Sequence, residues 1–130
     1  ALHLAGDSPA ALLDALTSGI SRLVAGEAAL PEHTRITLDV RADSLEDLLV
    51  RWANELIFRF DSDGLLPVCG LAPAVTQDAA GTWRAGAHLP ACRTRTIPFD
   101  QECDLKAATY HRLRVRRRGG RLSATIVIDT

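Results

Sequence analysis

Lys106 and Asp129 are the charges in this 130-residue chain that folding explains least well. Lys106 interrupts an otherwise apolar stretch, between Leu105 and Ala107. Asp129 is the penultimate residue, beside Thr130 and the chain's own terminal carboxyl group. A carboxylate next to a main-chain or terminal oxygen suits a hard divalent cation, although calcium prefers six to eight oxygens and one side chain is a small share of that number. A lysine is a compact point charge on a flexible stem, suited to a phosphate or to an acidic partner. Each residue also has a plain reading. Lys106 can be a surface lysine in an ion pair of less than about 1 kcal/mol, and Asp129 a solvated carboxylate at a chain end.

A second concentration of charge lies between them. Arg112, Arg114, Arg116, Arg117, Arg118 and Arg121 follow one another with no acidic residue interposed. With Leu113 and Val115 alternating, Arg112, Arg114 and Arg116 are expected on one face of a strand. The plain reading is a solvated strand whose charges prevent edge-to-edge association. The sharper one is a docking patch for RNA or for an acidic protein surface. No aromatic residues interleave with the arginines, so a base-stacking platform is not indicated, and docking of a protein partner is preferred to direct RNA binding.

Other chemistry is poorly represented. The chain has no G-x-S-x-G elbow, P-loop or G-x-G-x-x-G motif. His3, His33, His88 and His111 lack zinc-ligand spacing. Asp61 and Asp63 sit in a turn sequence rather than an EF-hand loop. Cys69, Cys92 and Cys103 are odd in number and form no C-x-x-C pair, which points to reduced thiols in a cytoplasmic protein. Tyr110 and His111 read as structural residues.

Two helices and several strands must position these groups. Ser8 is an N-cap and Pro9 an N1 residue. Leu12, Leu13, Leu16, Ile20, Leu23 and Val24 then recur at helical spacing up to Gly26. Ile36, Leu38 and Val40 alternate with polar residues as a half-buried strand. Ser44 and Asp47 form an S-x-x-D capping box ahead of a broad apolar face from Leu45 to Phe60, with the helix ending before Asp61-Ser62-Asp63-Gly64. Trp52, Phe58 and Phe60 read as packing residues. Strands are expected over Leu65 to Val75, Thr82 to Leu89, Cys103 to Val115 and Leu122 to Ile128, with Arg117-Arg118-Gly119-Gly120 as the last hairpin turn.

The composition fits one α/β domain of α+β type over residues 1–130, two helices against a mostly antiparallel sheet. Nearly half the residues are apolar and the net charge is −1, which argues against a protein built for bulk nucleic-acid binding. No apolar run approaches the roughly 20 residues of a membrane span.

Three blocks of this sequence resemble the archease family. Leu48-Leu49-Val50-Arg51-Trp52-Ala53-Asn54-Glu55-Leu56-Ile57-Phe58-Arg59-Phe60-Asp61 is similar to its LL-x-x-W-L-N-E-L-L-Y-x-F-D helix. Lys106-Ala107-Ala108-Thr109-Tyr110-His111 resembles its K-A-x-T-Y-H block, and Val127-Ile128-Asp129-Thr130 its ending in an aspartate and one last residue. The resemblance runs in order from Gly6 to Thr130. It implies a non-enzymatic partner of the RtcB-type RNA ligase of tRNA splicing and RNA repair, which promotes the ligase's guanylylation from GTP and its multiple turnover. It further implies that Lys106 and Asp129 belong to the activating surface, and that Asp129 and Thr130 take part in binding a divalent metal, calcium in type. Archease chains open on an H-T-A-D-x-G-type segment whose aspartate helps bind that metal. Here the following strand and glycine fall on Ala1 to Gly6. That aspartate would therefore lie before residue 1, either beyond the start of this chain or lacking from the protein, and it does not transfer to Asp7 or Asp14. The alternative is a general RNA- or protein-binding, chaperone-like module that uses the basic hairpin.

Overall fold

Ser8 and Ser44 start both helices by the same device, a hydroxyl that accepts a hydrogen bond from the backbone N–H three residues on. The distances are 3.1 Å from Ala11 N and 3.0 Å from Asp47 N. The computed structural model describes residues 1–27, 29–68, 72–97 and 104–130. In chain order the elements are β1 (Leu2–Gly6), α1 (Pro9–Ala25), β2 (Thr34–Ala42), α2 (Leu45–Asp63), β3 (Leu65–Pro67), β4 (Ala74–Gln77), β5 (Trp83–Arg93), β6 (Ala107–Thr109), β7 (Arg116–Arg118) and β8 (Arg121–Asp129). Helix α2 runs through the Asp61–Asp63 segment expected to be a turn. It stops at Gly64, whose left-handed backbone sends its N–H back to Phe60 O, the conformation glycine adopts without steric cost.

The architecture is α+β: the described residues form two antiparallel four-stranded sheets and two α-helices. Each sheet has one long central strand. In the first, β8 pairs with β1 along one side and with the short β6 and β7 along the other. In the second, β5 pairs with β2 on one side and with β3 and β4 on the other. Along β2 and β8, buried and outward residues alternate, so each of these strands gives one face to the core.

One cluster joins the inward faces to the helices. It includes Leu12, Leu13, Leu16 and Ile20 of α1, Leu48, Leu49, Trp52 and Leu56 of α2, Ile36 and Leu38 of β2, and Leu122, Ile126 and Ile128 of β8. Trp52 is fully buried and donates its indole N–H to Thr17 Oγ1 at 3.0 Å, while the Thr17 hydroxyl donates to Leu13 O at 2.7 Å. The polar end of the largest core side chain is thereby satisfied inside the contact between the helices.

Two expected strands are interrupted. Among the described residues of the Leu65 to Val75 stretch, the strands are β3 and the start of β4. In the Cys103 to Val115 stretch, β6 is followed by a turn in which Leu113 N–H donates to Tyr110 O at 2.9 Å and Arg112 has φ of 54°. That left-handed residue carries the chain out of the strand path in a turn before β7 resumes the same direction along β8, so Arg112 and Arg114 do not share a strand with Arg116, which belongs to β7. The final hairpin is also tighter than expected. Arg118 pairs with Arg121, leaving Gly119 and Gly120, both at positive φ, as the two-residue turn. Cys69 and Cys103 lie outside the described residues.

Gly6 ends β1 where α1 begins, and a Cβ there would stand 2.6 Å from Ala11 Cβ. Gly6→Ala is expected to destabilise the fold by about 1–3 kcal/mol through overpacking, read as a lower urea midpoint. An unchanged midpoint would show that the β1–α1 turn can give way.

Candidate functional site

Asp129 closes β8, and its carbonyl accepts a 2.9 Å hydrogen bond from Lys106 N–H just ahead of β6. The pairing sets Ala107 opposite Asp129 and Ala108 opposite Ile128. Ala108 and Ile128 are buried, so Ala107 and Asp129 occupy the outer face. Lys106 and Asp129 are thus main-chain neighbours at one end of the first sheet, with Thr130 following, and all three are exposed. The Lys106 ammonium stands 4.0 Å from Asp104 Oδ2, a loose and well-solvated pair. It lines a shallow groove of about 450 Å³ with Asn54, Ile57, Phe58, Asp61, Asp104, Leu105 and Ala107.

Helix α2 holds this edge in place through polar side chains whose role the sequence did not reveal. Asn54 Oδ1 accepts Ala108 N–H at 2.7 Å, which fixes β6 on the side that does not face β8. Further toward the helix N-terminus, Glu46 Oε1 accepts Val115 N–H at 3.2 Å, and Asp47 Oδ1 accepts a hydrogen bond from the Tyr110 hydroxyl. Asp47 does more than complete a capping box. Its other oxygen receives Arg51 Nε at 2.9 Å and the N–H of Asp43, one residue before the N-cap, at 3.3 Å. Asn54 stands in the family-like helix block, where helical spacing gives it no evident partner. Only the chain's return past α2 shows what it does. Tyr110 is more than half exposed, and Phe58, expected to pack, is 57% exposed beside the Lys106 groove.

The arginines lie elsewhere. Arg116 pairs with Ser123, six residues before Asp129 on β8, or about 20 Å along the strand. Arg112, Arg114 and Arg116 are all exposed, with the partly buried Leu113 and Val115 between them. The Cys92 thiol is buried, and burial pushes its pKa up, which leaves it a poor nucleophile.

Asp129 and Thr130 do not by themselves make a calcium site. Among the described residues no three His, Cys, Asp or Glu side chains are grouped to hold a metal ion, and two adjacent residues fall well short of calcium's oxygen count.

At Asp47, burial opposes ionisation. Hydrogen bonds from Tyr110, Arg51 and the Asp43 N–H, together with the Arg51 charge, outweigh it and hold the carboxyl below its ordinary value. A depressed folded-state pKa stabilises the protein above the unfolded value near pH 4 and loses that effect as pH falls through the folded value. Asp47→Asn is therefore expected to lower stability by about 1 kcal/mol at neutral pH, with the gap from wild type closing below about pH 4. Urea titrations at pH 7 and pH 3 measure it, and a gap independent of pH would contradict the account.

Three comparisons bear on kinship. The sequence model of the archease protein family (MTH1598/TM1083) matches residues 1–130. Protein archease of Methanopyrus kandleri is 26% identical over 129 residues, covering 99% of this chain and 91% of that one. The fold is similar to the 2.0 Å crystal structure of an archease from Thermotoga maritima described as a possible chaperone. That match has a TM-score of 0.62 and 20% identity, and covers 98% of this chain and 87% of the other. It is also similar to the solution structure of Methanobacterium thermoautotrophicum protein 1598, with a TM-score of 0.75, 15% identity, and coverage of 97% and 87%. At these identities the two structures speak for the fold alone. The family match spans every block in which Lys106, Asp129 and the Asn54 helix lie, and the chain belongs to the archease protein family.

Proposed function

We propose that this chain is a non-enzymatic activator of an RtcB-type RNA ligase, promoting its guanylylation and multiple turnover in tRNA splicing and RNA repair. The observation that carries the reading is the main-chain hydrogen bond joining Lys106 to Asp129. It sets a cation and an anion from distant parts of the sequence on one exposed edge. The proposed mechanism is positioning. Lys106, immediately ahead of the strand pinned by Asn54, reaches a phosphate or carboxylate at the ligase's nucleotide site, while Asp129 orients basic groups of the partner. Exposed charges are weak in water and strengthen once a partner covers them. A cytoplasmic setting goes with this reading, and among the described residues no helix is long and apolar enough to cross a membrane.

A divalent cation of calcium type stays attached to the reading as a separate proposal. β1 runs antiparallel to β8 with Leu2 opposite Ile126, so its N-terminal end lies toward Asp129. That is where the family's metal-binding aspartate would need to enter. Calcium titration of wild type and of a chain ending at Ile128 tests it. Saturable binding lost on truncation supports the cation, and identical titrations dispose of it.

The second reading, a general RNA- or protein-binding chaperone-like module, draws on the exposed arginines. Guanylylation at limiting ligase separates the two. Lys106→Ala is expected to lower stimulation by about tenfold or more, the scale of losing one positioned charge, with an unchanged thermal transition. Asn54→Ala leaves Ala108 N–H without its acceptor and is expected to cost about 1–3 kcal/mol in stability, along with part of the stimulation. Asn54→Asp, which keeps an acceptor oxygen, should recover both. Wild-type protein that fails to stimulate the ligase would overturn the activator reading, and a folded Lys106→Ala protein that stimulates it normally would remove Lys106 from the mechanism.

A further inference from the structure

Arg118 and Arg121 face each other directly across the last hairpin. Like charges in that position weaken a sheet, so folding does not account for the pair. Protection of an exposed edge explains one or two charges on β7, but not six arginines between residues 112 and 121. Charge is in fact segregated along this chain. Seven of its fifteen basic residues fall between Leu105 and Ile128, where none of its sixteen acidic residues occurs. That segment therefore carries about +7, against about −8 for the remainder, and the net charge of −1 conceals a strongly polarised molecule.

All six arginines are exposed. The ion pairs of the described residues engage Arg35, Arg51, Arg84 and Lys106, and none of the six. The hairpin also lacks what a protein interface needs at its centre, an exposed aromatic or aliphatic anchor. Its neighbouring apolar side chains, Leu113 and Val115, are turned to the core cluster. Nucleic-acid interfaces have the opposite composition, polar and strongly positive, with guanidinium forks matched to phosphate oxygens. On these grounds RNA is favoured here over the protein partner expected from the sequence.

We propose that the Arg116–Arg121 hairpin, with Arg112 and Arg114 beside it, is a docking site for the phosphate backbone of RNA, read by charge and not by base sequence. The choice of RNA over other polyanions rests on the ligase reading above. The hairpin opens β8 and Asp129 ends it, about 25 Å away. The chain can therefore hold the body of an RNA at one end of a strand while the other end meets the ligase.

Fluorescence anisotropy with a labelled RNA stem–loop tests the site. Wild type is expected to bind with a log–log salt slope of about −3 to −5 between 50 and 200 mM KCl, the mark of several released counterions. Replacing Arg116, Arg117 and Arg118 together by alanine should weaken binding by about tenfold or more and flatten the slope by about 2–3. A companion triple lysine variant keeps the charge, guards against misfolding of the alanine variant, and should retain most of the binding. No RNA binding by wild type at 50 mM KCl, binding insensitive to salt, or full binding by a folded alanine variant would each overturn the inference. Guanylylation measured without RNA keeps the two proposals apart. The alanine variant should stimulate it fully, whereas Lys106→Ala should fail there yet bind RNA normally.

Discussion

A backbone N–H at a sheet edge away from water must find an acceptor, and the site depends on how this protein meets that demand at Ala108. The N–H is taken by the side chain of Asn54, not by another strand. The strand involved is only three residues long and pairs with β8 on its other side. A strand that short has little cohesion of its own. Its position, and with it that of Lys106, is set by a helix whose opposite face is locked into the core through Trp52, Leu49 and Leu56. Helix α2 thus joins packing to function. Its apolar stripe makes it immovable, and Glu46, Asp47 and Asn54 pass that rigidity to the chain running back past it.

That arrangement explains which parts of the molecule could be read from sequence. Both helix starts and the end of α1 were legible because their determinants are local: Ser8, Pro9 and Gly26 frame α1, and Ser44 opens α2. The end of α2 was not, because Asp61-Ser62-Asp63 has the composition of a turn yet stays helical up to Gly64. The alternation in β2 and β8 was legible for the same reason, since a strand with one wet face records its environment in every second residue. The segment from Lys106 to Val115 was not. Its alternating pattern looked like one long strand, yet Arg112 turns the chain at a positive φ that arginine does not favour on its own. The turn is held by bonds to Glu46 and Asp47, more than sixty residues earlier. No window of sequence contains both partners.

The site was legible in a similar, partial way. Lys106 and Asp129 stood out because a charge in an apolar strand and a charge at a chain end each lack a folding purpose. Their adjacency followed only from the β6–β8 register. Asn54 was hidden by its ordinariness, since an amide on a helix border is usually solvated. Phe58 was misread because helical periodicity places it next to the buried stripe without saying that the stripe's neighbour is a groove open to water.

Exposure also argues for the kind of work this surface does. A group that catalyses unaided is normally held away from water, where its charge acts at full strength and its pKa is tuned to the reaction. Lys106 and Asp129 are instead solvated, and the groove beside Lys106 is shallow. Two charges in that setting do little until another surface closes over them and lowers the effective dielectric. They are then already in register, because β8 and the segment leading into β6 are fixed by hydrogen bonds formed on folding. A surface idle alone and preorganised when covered is what an activator needs. In the proposed role such a surface would contribute geometry only within the complex, which would tie its effect to encounter with its partner.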